Sequence, residues 1–234
     1  MNIENFDTNQ ALSERARDLV IGQLRVKPNL TLCAATGDSP TLFYELLAAS
    51  CKKQPELFSE LRIMKLDEWG GMSPDQKGTC EQYIREKILD PMGIPEDRYF
   101  GFRSNPEDPE EECRRVQNFM KKNGRIDICI LGIGMDGHLA LNEPGPYLQP
   151  YCHVASLTQK TLTHPMISEL GTQPRYGLTL GMSDILQSRM IIMLISGKKK
   201  AEITKAMMEG KITTEVPASF LWLHPNVHCL ICPN

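Results

Sequence analysis

The 234-residue sequence predicts an α/β fold, a mostly parallel central sheet with helices on both faces. Three observations lead there. Short apolar runs recur at 30–35, 61–66, 126–131 and 190–195, the pattern of strands buried on both sides. Helical patterns separate them, as crossovers between parallel strands require. Residues able to do chemistry follow three of these runs directly, at the strand ends where such sheets open their binding crevice.

Taken in order, residues 11–26 read as an amphipathic helix. Leu12, Ala16, Leu19, Val20 and Leu24 share one side, and Glu14, Arg15, Arg17 and Asp18 lie mostly on the other. Lys27-Pro28-Asn29 ends it. The strand at 30–35 runs into Thr36-Gly37-Asp38-Ser39-Pro40, a turn whose proline suits the start of a helix. That helix covers 41–51. The strand at 61–66 delivers Asp67-Glu68-Trp69, and helices follow near 80–89 and 109–122. The strand at 126–131 leads into Gly132-Ile133-Gly134-Met135-Asp136-Gly137-His138. Strands at 176–180 and 190–195, a helix at 198–209 and a strand at 227–232 complete the pattern. Residues 135–165 are poorly periodic and suit a lid or site loop. No internal repeat or low-complexity segment interrupts what reads as one domain over residues 1–234.

A 41% hydrophobic chain of this length can bury one substantial core. Its net charge is -3, from 26 basic and 29 acidic residues, and no long basic block points to a nucleic-acid partner. No window of 18 nearly uncharged apolar residues suggests a membrane span. The start lacks the basic and apolar pattern of a signal peptide, so a cytoplasmic protein is expected. Of eight cysteines, Cys33, Cys129, Cys229 and Cys232 fall in strand-like runs, which favours buried free thiols over disulfides. Cys229 and Cys232 have CxxC spacing, but no second pair joins them for zinc.

Four segments carry candidate chemistry. In Thr36-Gly37-Asp38-Ser39-Pro40 a glycine permits a tight turn, and a helix start with the hydroxyls of Thr36, Ser39 and Thr41 can bind phosphate. An ordinary strand-to-helix turn is the alternative; neither a P-loop nor a dinucleotide fingerprint is present. In Asp67-Glu68-Trp69 one carboxylate can be poised as a base by partial burial or a neighbouring charge, or the segment can be a helix cap or a surface loop. The loop from Gly132 to Gly145 presents Asp136, His138 and Glu143 within eight residues. An imidazole beside carboxylates moves protons near neutral pH. Metal binding is the rival use, disfavoured by the lack of a second histidine in HxH or HExxH spacing. Gly197-Lys198-Lys199-Lys200 places lysines at a helix start, against its dipole, unless one serves an anion or all face solvent. His224 reads as a packed polar residue and His228 as structural or exposed.

Together these loops resemble the glucosamine-6-phosphate deaminase branch of the sugar-phosphate isomerase superfamily, and more narrowly the bacterial galactosamine-6-phosphate deaminases or isomerases. The likeness spans LCAATGDSPTLFYELL, MKLDEWGGM, GTCE at 78–81, LGIGMDGHLALNEPG, LQPYCHVASL, YGLTLGMSDIL and PASFLWLHPNVHCLI. The related 6-phosphogluconolactonases usually have DER where this chain has Asp67-Glu68-Trp69, and lack the LNEP stretch at Leu141–Pro144.

The resemblance implies a Rossmann-like sugar-phosphate isomerase fold acting on an amino-sugar 6-phosphate without cofactor or metal. It implies that Asp67 shuttles a proton between C2 and C1, that His138 assists ring opening, and that Asp136 and Glu143 orient and tune His138. It places Thr36, Gly37, Asp38, Ser39 and Lys200 around the phosphate. Hexameric members use an arginine near the position of His164; here Arg175 either takes that contact or flanks a strand. The extra C-terminal segment of the allosteric hexamers is missing, so little activation by an N-acetylamino-sugar phosphate is expected. Lactone hydrolysis and noncatalytic sugar-phosphate binding are the rival functions, and the oligomeric state is open.

Overall fold

A computed structural model describes residues 1–73, 75–157 and 173–233. In chain order its strands are β1 (Asn2–Asn5), β2 (Thr31–Ala34), β3 (Arg62–Lys65), β4 (Asp67–Gly70), β5 (Tyr99–Phe100), β6 (Ile128–Leu131), β7 (His153–Ala155), β8 (Tyr176–Thr179), β9 (Met190–Ser196) and β10 (Val227–Cys232). The helices are α1 (Asn9–Val26), α2 (Asp38–Lys53), α3 (Cys80–Ile84), α4 (Asp90–Met92), α5 (Pro109–Asn123), α6 (Met182–Leu186) and α7 (Ala201–Met208).

Seven strands form one parallel sheet in the order β1-β10-β9-β6-β2-β3-β5. The central strand β6 is apolar throughout because alternate residues feed two cores. In β6, Ile128 and Ile130 enter one core while Cys129 and Leu131 enter the other. The first core takes Leu12, Ala16, Val20 and Leu24 from α1 and Phe43, Tyr44 and Leu47 from α2. The second takes Cys113 and Val116 from α5, Ile185 from α6 and Met207 from α7. Helices thus cover both faces. Local signals set their starts: Thr8 accepts the Ala11 amide at 3.2 Å before α1. Asp108 accepts the Glu110 and Glu111 amides at 2.9 and 3.1 Å before Pro109 opens α5.

The chain runs outward from β2 through β3 to β5, then returns to the other side of β2 with β6, β9 and β10. The strand order therefore reverses between β2 and β6, and the loops leaving these two strands frame a crevice.

Two expected features differ. The strand expected at 176–180 does not join the parallel sheet. It is β8, the centre of a second, antiparallel sheet ordered β4-β8-β7. Asp67-Glu68-Trp69 is not a loop but the start of β4, which pairs Asp67 with Thr179 and Gly70 with Tyr176. Apolar periodicity marks a strand but not its partner. Gly70 makes this pairing possible, since a Cβ there would lie 2.0 Å from the Tyr176 ring. Smaller departures are a π-helical turn at Arg85–Leu89 between α3 and α4, and a single 3-10 turn at Lys198–Lys200 before α7. The edge strand β1 is too polar, and β5 and β7 are too short, to be visible as strands in the sequence. Among the described residues no helix is long and apolar enough to cross a membrane. All eight cysteines are free; seven are buried and Cys152 is half-buried.

Candidate active site

Asp67 and Glu68 follow β3 side by side, yet their surroundings differ completely. Glu68 is fully buried and its oxygens accept from the Trp69, Cys80 and Glu81 amides at 2.8, 3.0 and 2.8 Å and from Lys65 Nζ at 2.6 Å. It is the helix cap that the sequence allowed as one reading, since it closes the first turn of α3. Asp67 has no such set of donors. The Cys80 thiol lies 4.0 Å from its Oδ1 and 3.5 Å from Thr36 Oγ1. Burial, reinforced by the negative charge of Glu68, pushes the Asp67 carboxyl up to about 7, against the pull of His138 and Lys65. Asp67 therefore exchanges a proton within the neutral range.

After β6 the chain folds back on itself. Gly137 donates to the Gly134 carbonyl and Gly134 to the His138 carbonyl, both at 3.0 Å. The imidazole lies directly over Gly134, where an added Cβ would come within 2.2 Å of it. His138 Nδ1 is 2.7 Å from Asp136 Oδ1 and 3.5 Å from Glu143 Oε2. Burial works against the imidazolium, but the two carboxylates outweigh it and push His138 up to about 9.

Glu143 reaches this position through a second tight turn. Ala140 adopts a left-handed φ of 54°. Asn142 Nδ2 donates to the Leu139 and Leu180 carbonyls at 2.9 Å each. The Leu141 amide donates to Thr179 Oγ1 at 3.2 Å, and Thr179 is the register partner of Asp67. The antiparallel sheet thus ties the histidine loop to the strand that carries Asp67.

The donor atoms of Asp136, His138 and Glu143 lie within 4.8 Å of one another, close enough to share a cation. Both carboxylates address the same imidazole nitrogen, and an ion there would have to replace the 2.7 Å contact. The arrangement suits proton chemistry directly.

The remaining predicted residues surround the same crevice. Gly37 turns with φ 111° ahead of α2, whose first amides receive no side-chain cap. Its carbonyl accepts from Thr41 Oγ1 at 2.9 Å and Tyr83 Oη at 2.8 Å, so the turn is held from behind. Asp38 and Ser39 open α2. Ser196 Oγ, at the end of β9, donates to Ser39 Oγ at 3.3 Å. Lys200 Nζ donates to the Ile133 carbonyl, which sets it on the histidine loop. The TGDSP turn, Asp67, the histidine loop and Lys200 therefore gather at one edge of the sheet.

Arg175 is elsewhere. It is exposed, packs its guanidinium against Gly71 and donates its amide to the Gly70 carbonyl. That is the end of β4 opposite Asp67, so it flanks the strand. His164 lies outside the described residues. Sequence reasoning missed Cys80, Tyr83 and Thr179, whose types carry no signal until the fold brings them to Asp67 and Gly37. His224 is buried and bonded to the Ser188 carbonyl at 2.8 Å, a packed polar residue as expected.

Comparison with known proteins agrees with this fold. A family described as glucosamine-6-phosphate isomerases/6-phosphogluconolactonase matches residues 5–230. A protein of Escherichia coli (strain K12), provisionally named as the deaminase AgaI, is 42% identical over 229 residues, covering 98% of this chain and 90% of that one. A glucosamine-6-phosphate deaminase of Thermoanaerobacter pseudethanolicus (strain ATCC 33223 / 39E) is 35% identical over 224 residues, covering 95% and 88%. Among solved structures, a monomeric glucosamine-6-phosphate deaminase superposes with a TM-score of 0.93 at 33% identity, covering 99% and 97%. A 6-phosphogluconolactonase of Trypanosoma brucei, at 20% identity, shares the fold with a TM-score of 0.76, covering 99% and 95%.

Proposed function

This chain belongs to the family of glucosamine-6-phosphate isomerases and 6-phosphogluconolactonases, and from that premise we propose that it converts an amino-sugar 6-phosphate to a ketose 6-phosphate and ammonia, with galactosamine 6-phosphate preferred. The observation that carries this reading is the pairing of a buried carboxyl poised near neutrality, Asp67, with an imidazole held by two carboxylates, His138, at one strand edge. The likeness to deaminases over nearly the whole chain supports it further.

The phosphate rests on the open first turn of α2 at Thr36, Gly37, Asp38 and Ser39, with Lys200 supplying positive charge. This anchors C1 and C2 against Asp67. His138, protonated by virtue of Asp136 and Glu143, gives its proton to the ring oxygen as the C1–O5 bond breaks and takes up the proton leaving the C1 hydroxyl, so that the open-chain aldehyde forms and the imidazolium is restored. Asp67 then takes the C2 proton while the C1 carbonyl oxygen gains a proton from water, forming an enolamine, and Asp67 returns its proton to C1. The iminium left at C2 adds water and expels ammonia. Carbon oxidation levels merely exchange between C1 and C2, so the step consumes only water.

The galactosamine preference is supported by the sequence likeness at residues 217–231. The Ala218 amide in that segment donates to the Gly137 carbonyl at 2.8 Å, so the subgroup motif buttresses the histidine loop itself.

The test is ammonia release from galactosamine 6-phosphate and glucosamine 6-phosphate in parallel, with Asp67→Asn as control. Faster, Asp67-dependent release from the former is expected. Preference for the glucosamine substrate would contradict the finer assignment, and release from neither would contradict the deaminase reading.

A further inference from the structure

We infer that Lys65 is a positioning residue for the proton transfer: its buried ammonium, clamped between Glu68 and Glu81, keeps the neighbouring Asp67 available as a carboxylate and fixes the first turn of α3 beside it. The inference rests on the reading of Asp67 as the base.

Lys65 ends β3, two residues before Asp67, and its side chain is only 1% exposed. Its Nζ lies 2.6 Å from Glu68 Oε2 and 2.6 Å from Glu81 Oε2. Glu81 Oε2 also accepts from Tyr99 Oη at 2.6 Å, and Glu81 Oε1 meets Arg85 Nε at 2.8 Å. A chain of alternating charge thus runs from Glu68 through Lys65 and Glu81 to Arg85. Its outer end, Glu81, Arg85 and Tyr99, lines a cavity of about 460 Å³, whereas the Lys65 side chain is only 1% exposed.

A helix cap alone does not need this ammonium, because Glu68 already receives three backbone amides. A buried lysine is costly unless it is paired, and here both partners favour its charged form over the opposing effect of burial. What the ammonium adds is a fixed positive charge whose field reaches Asp67. The groups facing Asp67 are few. Burial holds Cys33 of β2, Tyr44 of α2 and Cys80 of α3 neutral by pushing all three up. Glu68 contributes negative charge, and Lys65 and His138 contribute positive charge. In the proposed cycle His138 gives up its proton, so its charge is not constant. Lys65 is the cation around Asp67 that stays charged throughout.

The experiment reads Asp67 without turnover, so its outcome stands apart from the deaminase assay. The protein is labelled with carboxyl-¹³C aspartate, the Asp67 resonance is assigned by its loss in Asp67→Asn, and it is titrated by NMR. In the native chain the midpoint is expected at about 7. Removing the cation in Lys65→Met is expected to raise that midpoint by about one pH unit, and removing the anion in Glu68→Gln to lower it by about one. Opposite displacements are something that general loosening of the fold does not produce. Midpoints that both stay at the native value, or both move the same way, would overturn the proposal. Should Lys65→Met fail to fold, the double variant Lys65→Met/Glu68→Gln carries the test. It is expected to titrate above Glu68→Gln alone, and equal midpoints would overturn the role of Lys65.

Discussion

Asp67 and His138 lie close enough to influence each other's charge, and burial acts on them in opposite directions. For Asp67, which lacks the donors that surround Glu68, burial disfavours the anion and lifts the carboxyl from the ordinary range to about 7. For His138 burial disfavours the cation, yet Asp136 and Glu143 reverse the effect and bring the imidazole to about 9. Between these values the aspartate is a base and the histidine an acid, so both proposed roles are available together. The contrast teaches that burial alone does not assign a role; what each group is given as a partner does. Glu68 makes the same point from the next position, where four donors turn a carboxylate into a structural clamp.

Removing the base breaks this comparison most severely. Asp67→Asn is expected to lower kcat/KM for ammonia release by about 10²–10⁴-fold, the usual worth of a positioned general base. Its fold should not suffer. A carboxyl raised in the folded state contributes stability below its unfolded value of 3.8 and loses it as pH rises through about 7. Asp67→Asn should therefore melt at or above the native temperature at pH 8, as thermal unfolding by circular dichroism would reveal.

His138→Gln comes next, with an expected loss of about 10²-fold and disappearance of the alkaline limb of the pH–rate profile. A substrate analogue fixed in the open-chain form should recover part of the loss, because only ring opening needs the imidazolium.

Gly134→Ala sharpens the comparison by leaving every chemical group in place. Its Cβ would intrude on the imidazole at 2.2 Å, so His138 must shift off its carboxylates. A loss of about tenfold in kcat is expected, with the alkaline limb moving toward the ordinary histidine value. An unchanged limb would mean that the two carboxylates do not set His138.

Tyr83→Phe should do least. It removes the hydroxyl that meets both the Gly37 carbonyl and Thr41 Oγ1, behind the proposed phosphate turn. A hydrogen bond of this kind is worth about 1 kcal/mol, so KM for the sugar phosphate should rise about fivefold with kcat nearly unchanged.

The parts of this site visible in the sequence share one property: an apolar strand stops and a chemical residue follows immediately. That is why Thr36, Asp67 and the loop holding Asp136 and His138 stood out, and why the strand-end crevice could be anticipated. The rest depends on contacts between distant segments. Residue type does not separate Asp67 from Glu68; half of the donors that distinguish Glu68 come from Cys80 and Glu81, which arrive more than ten residues later. Lys65 reads as an ordinary polar residue at a strand end until Glu81 buries it. The strand at 176–180 was recognisable as a strand, but its antiparallel pairing with β4 depends on Gly70 making room for Tyr176. Arg175 was a candidate phosphate contact by residue type alone, and the register of β8 carries it to the far end of β4.

The measurement that bears most directly on the account is the pH dependence of kcat/KM for ammonia release, corrected for the substrate's own ionisation. The account predicts a bell with limbs near 7 and near 9, the acid limb set by Asp67 and the alkaline limb lost in His138→Gln. A profile flat across this range, or a bell that keeps both limbs in His138→Gln, would contradict it.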